Sequence, residues 1–315
     1  MNYILTVVRL LLETRGGAER QYAWYSIMNL EQLVLTHEPA IRLAVFLGVF
    51  TLVGVWEFLA PRRVLNISKP LRWTNNLALV GVNTVALRLA FPLAGAGVAA
   101  FATAHGWGLL SQFPLPTWMA LPFAVIAMDF VIWLQHVMVH AVPALWRLHR
   151  VHHADLDYDV TTGARFHPLE IGLSMLIKMA TIAVLGPPVV AVVIFEVLLN
   201  ATAMFNHGNI RLPHSVDRAL RWFVVTPDMH RVHHSVEDDE TNSNFGFNLP
   251  WWDRLLGTYR DEPRAGHQAM TIGIRDHRQP REVAYLDGML VLPFRGQVDG
   301  YAINRRDWRN EASTR

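Results

Sequence analysis

Long apolar stretches separated by short polar ones fill the first two thirds of this 315-residue chain and then cease. The first, Ile41 to Leu59 ahead of Pro61, has roughly the 20 residues that cross a hydrocarbon core as a helix. A second lies within Leu77 to Ala102 and carries Asn83 and Arg88; either Arg88 faces a bundle interior or snorkels, or the span proper starts later. A third runs from Trp118 to about Met138. The fourth, Leu169 to Phe205, is cut near its middle by Gly186-Pro187-Pro188, leaving limbs of about 17 residues, the lower edge of a crossing length. That reads as a helical hairpin entering and leaving on one side, with Lys178 and Glu196 inside it pointing to partial burial or re-entrance. No span-length apolar run follows Leu212. The expected fold is all-α: a multi-span helical membrane protein of about three full spans plus a hairpin.

Charge placement orients these elements. Arg62, Arg63, Lys69 and Arg72 follow the first span, which the positive-inside rule places in the cytoplasm, whereas His105 to Thr117 holds no Lys, Arg, Asp or Glu and suits the outer side. Residues 1–38 form an N-terminal arm whose apolar runs are broken by Arg9, Glu13, Arg15 and Arg20, unlike a secretory signal; an interfacial helix through Leu5 and Leu10 to Leu12 and a plain loose arm both fit. Residues 39–260 form the membrane-embedded domain. Residues 261–315 form a polar tail with a short apolar run at Met289 to Pro293.

Composition supports a membrane protein and narrows the chemistry. Apolar residues reach 52% and charged ones only 17%, against about a quarter in ordinary soluble domains. The net charge, 28 − 26 = +2, gives no reason to expect a nucleic-acid partner. The chain has no cysteine, so disulfides, thiolate zinc sites, iron–sulfur clusters and thiolate-bound haem are excluded. Any metal is held by nitrogen or oxygen.

Histidine supplies that nitrogen. The phrase His149-Arg150-Val151-His152-His153 recurs as His230-Arg231-Val232-His233-His234. Helical spacing aims the three imidazoles of each phrase at one point. His136 and His140 stack on one face where the third span ends, and Asp129 lies two turns earlier, either as a partner to the metal ligands or as a packing contact between helices. His207 returns to the same face from the hairpin, and His167 opens it. With the spans counted as above, all of these converge on a cytoplasmic, histidine-rich helical cap. His37, His105, His214, His267 and His277 read as ordinary surface or core residues. Nine or more imidazoles exceed one tetrahedral ion and suit two. There is no Glu-x-x-His, as in carboxylate di-iron bundles, and no His-Glu-x-x-His, as in zincin proteases.

The succession His-x3-His, His-x2-His-His, a single His and a final His-x2-His-His resembles the fatty acid hydroxylase / sterol desaturase superfamily of membrane di-iron oxygenases. Leu145-Trp146-Arg147, Arg165 to Glu170, Asn206 to Ile210, Thr241 to Gly246 and Trp251 to Tyr259 carry the likeness, which covers about 129–260. Where some members have a second paired His-x3-His, Ala203 and Arg211 occupy the offsets from His207, and His167 becomes the candidate tenth ligand. The resemblance implies two iron ions, with zinc a plausible occupant on isolation. It also implies O2 as co-substrate and hydrogen abstraction from an unactivated C–H bond of a lipid, giving hydroxylation or desaturation. Electrons would come from an external donor, a ferredoxin or b-type cytochrome with its reductase, because no dinucleotide fingerprint is present. Asp129, Glu170 and Asp228 are expected to hold imidazole N–H groups. A membrane zinc hydrolase using the same histidines is the rival reading; a metal carrier would string its histidines along a path instead.

Overall fold

A computed structural model describes residues 32–34 and 36–298. The N-terminal run through Leu12 lies outside the described residues, as do 299–315 of the tail. Among the described residues no strand forms; two isolated bridges, Pro61 with Ile210 and Ser235 with Ile272, join extended backbone.

Among the described residues, five helical segments are long and apolar enough to cross a membrane, as the three spans and two hairpin limbs anticipate. They are α1 (Thr36–Leu59), the segment Lys69–Gln112, α4 (Thr117–Ala141), α6 (Pro168–Leu185) and α7 (Val189–Asn206). Within Lys69–Gln112 the chain forms α2 (Lys69–Ala90) and α3 (Ala94–Ala104). Pro92 separates them, since its ring removes an amide donor and crowds the preceding turn. The α6–α7 turn meets the connection after α3 backbone to backbone: a Cβ on Gly186 would lie 2.3 Å from the Trp107 carbonyl oxygen. Gly186 also adopts φ +61°, which favours glycine. The hairpin tip thus lies at the end of the bundle shared with 105–117.

The second span begins earlier than hydropathy alone indicates. Arg72, Asn76 and Asn83 lie inside α2 and are buried rather than lipid-facing. Asn76 donates to Thr161 Oγ1 at 2.9 Å and Asn83 to the Phe166 carbonyl at 2.8 Å. Arg72 donates to both oxygens of Asp155 (3.0 and 2.7 Å) and pairs with Asp159. This polar stripe lowers the local hydropathy, and its side-chain donors are taken up internally by the segment 155–166. The basic residues after α1 are likewise engaged: Lys69 pairs with Glu57 at 2.9 Å, Arg62 with Asp228 at 3.0 Å, and Arg63 donates to the Met270 carbonyl at 2.8 Å.

At the opposite end from the hairpin tip, α4 turns at Val142 into α5 (Pro143–His153), whose first residue is the proline that suits that position. Among the short helices that follow the spans are α8 (His214–Leu220), α9 (Pro227–His233) and α10 (Trp251–Leu256). The apolar run near the C-terminus is built into this end. Met289 and Leu292 are fully buried against Leu79, Trp146 and Val151, and Arg150 donates to the Leu292 carbonyl at 2.6 Å.

Candidate metal centre

Four elements deliver the imidazoles. α4 carries His136 and His140 in its last turns, and the sharp reversal at Val142 sets α5 with His149, His152 and His153 against them. His207 caps the end of α7, and the turn 162–164 comes so close there that a Cβ on Gly163 would lie 2.4 Å from the Ala203 carbonyl. Thr226 caps α9 by accepting from Met229 N, and α9 presents His230 and His233 with His234 just beyond.

Nine histidines meet in two groups, within each of which one nitrogen per ring lies within 4.8 Å of all the others. His136, His140, His149, His153 and His233 form the first; His152, His207, His230 and His234 form the second. All nine are no more than 2% exposed. Nε2 atoms face one another: His136 and His149 at 3.1 Å, His136 and His233 at 3.0 Å, His140 and His153 at 3.2 Å, His207 and His152 at 3.1 Å.

The opposite ring edges explain this orientation. Nδ1 of His136, His233 and His207 donates to the carbonyls of Phe245, Ser243 and Ala203, each at 2.7 Å. His149 Nδ1 donates to Glu170 Oε1 at 2.5 Å, and His140 Nδ1 to Asn242 Oδ1 at 3.3 Å. A neutral ring that donates from Nδ1 carries its lone pair on Nε2. Lone pairs therefore point at lone pairs, which a cation relieves. Ligands ~2.1 Å from one ion and at right angles stand ~3.0 Å apart, the spacing seen here. His230 adds an independent sign, for neither of its buried ring nitrogens has a partner. An all-nitrogen set of this kind suits iron, zinc, copper or nickel.

Burial, followed by the neighbouring rings, pushes His152, His153, His230 and His234 well below the ordinary imidazole range. Burial, reinforced by His149, does the same to His233 and brings His207 down to about 3. These rings stay neutral at pH 7, the form that binds metal.

The carboxylates expected beside the ligands divide. Glu170 holds His149. Asp129 instead accepts the Trp252 Nε1–H at 2.8 Å, because α10 brings that indole to the helix face where the aspartate lies. Asp228 serves Arg62 and Arg231 and no imidazole of either group. Its carboxyl would be raised by burial, but Arg231 and His267 outweigh that and hold it at about 2. His167, the candidate tenth ligand, lies outside both groups. It caps α6, with Nδ1 accepting from Leu169 N at 3.2 Å and Nε2 hydrogen-bonded to the Leu290 carbonyl at 3.2 Å, so both ring nitrogens are occupied. His37, His105, His214, His267 and His277 also lie outside both groups.

Sequence reasoning missed the holders within 242–245. Asn242 acts through its side chain, whereas Ser243 and Phe245 act through carbonyls, which residue type does not reveal. Asn244 takes φ +52°, tolerated by Asn, and its amide ties the loop to the carbonyls of Met229 and Arg260. Asp253 fixes the Phe245 and Gly246 amides at 2.9 and 2.8 Å. The stretch Thr241 to Gly246, one of those that carry the family resemblance, is the available signal.

Comparison with known proteins agrees with this geometry. The fatty acid hydroxylase family profile matches residues 121–258, the stretch that contains all nine grouped histidines. An ornithine lipid hydroxylase of Rhizobium tropici is 29% identical over 182 residues, 57% of this chain and 53% of that protein. Human alkylglycerol monooxygenase is 27% identical over 166 residues, 50% of this chain and 34% of the relative. Methylsterol monooxygenase 2-2 of Arabidopsis thaliana is 26% identical over 168 residues, 51% and 61% respectively. The chain thus spans about half the length of the first and a third of the second. No solved structure matches significantly. Through residues 121–258 and the two histidine groups they carry, the chain is similar to the fatty acid hydroxylase / sterol desaturase superfamily.

Proposed function

We propose that the chain is an O2-dependent di-iron hydroxylase of a membrane lipid, with its metal centre at the cytoplasmic end of the helical bundle. The observation that carries this reading is the pair of closed imidazole groups, five and four rings, at the membrane end of α4 and α7. His136, His140, His149, His153 and His233 would hold one iron; His152, His207, His230 and His234 the other. When bound, two irons supply the redox chemistry by which O2 is reduced and a strong C–H bond is broken. Hydroxylation is favoured over desaturation because the relatives named above are hydroxylases or monooxygenases.

The protein's own part is positioning and exclusion. Glu170 and three carbonyls fix ring orientation. The fully buried Phe245, Trp146 and Tyr158 pack on the imidazoles and keep water out, and the half-buried Phe166 and Phe247 complete the apolar surround. A zinc hydrolase would need a carboxylate free to move a water proton. Glu170, which touches a ligand ring, is committed to His149 Nδ1. Two electrons per turnover would come from a separate ferredoxin or b-type cytochrome. The basic cluster Arg62, Arg63 and Lys69, at the histidine end, supports the cytoplasmic orientation.

Lipids of host membranes expressing the chain, incubated under 18O2, provide the test. Expected is a lipid heavier by one labelled oxygen, absent with His233→Ala and absent under nitrogen. Product formed equally under nitrogen would overturn the oxygenase reading in favour of the hydrolase.

A further inference from the structure

Where α1 and α7 leave the membrane, their continuations are tied together: Arg62 N donates to the Asn209 carbonyl at 2.9 Å and Arg211 N to the Ala60 carbonyl at 3.1 Å. Beside this junction lies a cavity of about 330 Å³, lined by Arg62, Arg211, His214, Asp217, Asp228 and Glu262 among others. It is separate from the histidine groups but adjoins them, since Asp228 belongs to α9, the helix that carries His230 and His233.

Most of its charges are already matched. Arg62 is taken by Asp228, Asp228 also by Arg231, and Glu262 by His267 at 2.8 Å. His214 meets Arg218 at 2.7 Å. Two groups remain. Arg211 is exposed, and no hydrogen bond or ion pair holds its guanidinium among the described residues. Asp217 is 4% exposed; its Oδ2 pairs with Arg221 at 2.7 Å, but its buried Oδ1 has no partner. The two residues that carry this unmatched cation and this unmatched acceptor both line the cavity.

The height of the cavity identifies the kind of ligand. It sits level with the ends of two membrane helices, where headgroups lie, and the elements that line it carry exposed apolar side chains close by in sequence: Phe58 and Leu59 on α1, Val216 on α8, and Trp222 and Phe223 just after α8.

We propose that this cavity binds the zwitterionic head of a membrane lipid, its primary ammonium at Asp217 Oδ1 and its anionic group in the fork of Arg211. A primary ammonium brings the N–H donors the buried oxygen lacks, and a guanidinium matches carboxylate or phosphate with two parallel bonds. Choline-headed lipids have no such donor. The site rests on the lipid-hydroxylase reading and narrows its substrate to an amine-bearing lipid held beside the metal centre.

Native mass spectrometry of the purified, metal-loaded full chain, titrated with defined lipids in the absence of reductant, tests binding without turnover. Phosphatidylethanolamine and a phosphate-free N-acyl amino-acid lipid with a free amine supply the two sources of the head. Phosphatidylcholine and phosphatidylglycerol lack the N–H donors. Expected is about tenfold or greater preference for at least one amine lipid, and the tighter of the two identifies the anionic half. Arg211→Ala, which removes no side-chain hydrogen bond or ion pair among the described residues, and Asp217→Asn should each erase that preference while metal content stays at the wild-type level. Equal binding of all four lipids, or a preference surviving Arg211→Ala, overturns the proposal. Selective binding without labelled product under 18O2 would leave the site standing and remove only the oxygenase reading.

Discussion

Trp252 donates its indole N–H to Asp129 Oδ2 at 2.8 Å, and the neighbouring residues return the contact: Trp133 donates to Asp253 Oδ1 at 3.0 Å. One helix contributes Asp129 and Trp133 a turn apart, the other Trp252 and Asp253 in succession. This reciprocal clasp fixes α10 alongside the middle of α4. Because Asp253 also accepts from the Phe245 amide, and Phe245 holds His136, the clasp bears on the metal centre from a distance. Asp129→Leu is expected to lower stability by about 1–3 kcal/mol, the cost of stranding a buried donor, while metal content stays near full occupancy. Thermal unfolding and elemental analysis check both halves. Loss of metal at intact fold would restore Asp129 as a direct neighbour of the ligands.

Among the described residues, Glu170 is the carboxylate hydrogen-bonded to a ring of the two histidine groups. Removing such a partner weakens a metal site by about 10–100-fold. Glu170→Leu should lose that much affinity, with Glu170→Gln retaining more because its amide oxygen still accepts from His149 Nδ1. Competitive chelator titration reads the difference; identical affinities for the two variants and wild type would rule out the orienting role.

His167 caps a helix. His167→Ala is expected to keep its metal and to lose about 0.5–2 kcal/mol of stability, as removal of an N-cap does. A drop in metal stoichiometry would instead make it the tenth ligand.

Acid should act on the metal-free protein through the buried rings. The folded-state pKa values of His152, His153, His230, His233 and His234 lie well below 6.5, and that of His207 is about 3. Below pH 6.5 the unfolded chain takes up protons that the folded chain refuses, so stability falls with decreasing pH, by about 1.4 kcal/mol per unit for each such ring. Chemical denaturation of the apo-protein between pH 7.5 and 5 should show this decline beginning near 6.5, with bound metal blunting it. A flat profile across that window would mean the rings are not held neutral.

Much of this was legible in advance because its signals are local. Apolar length pointed to three spans and two hairpin limbs, which correspond to the five long apolar segments among the described residues, and the repeated phrase with His136, His140 and His207 gave all nine grouped rings. What escaped depended on long-range pairing. Arg72 reads as a cytoplasmic charge until Asp155 and Asp159, far along the chain, are seen to enclose it. Asp228 and Asp129 have the right residue type and nearness in sequence, yet partners from other elements claim them. Carbonyl acceptors such as those of Ser243 and Phe245 leave no mark in residue identity at all.

The apolar run Met289 to Leu292 has an implication for shortened chains. It packs beneath Trp146 and Val151 on the helix of the first histidine phrase, and the Leu290 carbonyl meets His167. This foundation follows His234, the last of the grouped rings, by more than fifty residues. A chain truncated before 289 would keep all nine grouped histidines yet lack the packing beneath the first histidine phrase, so it is expected to hold those rings less firmly.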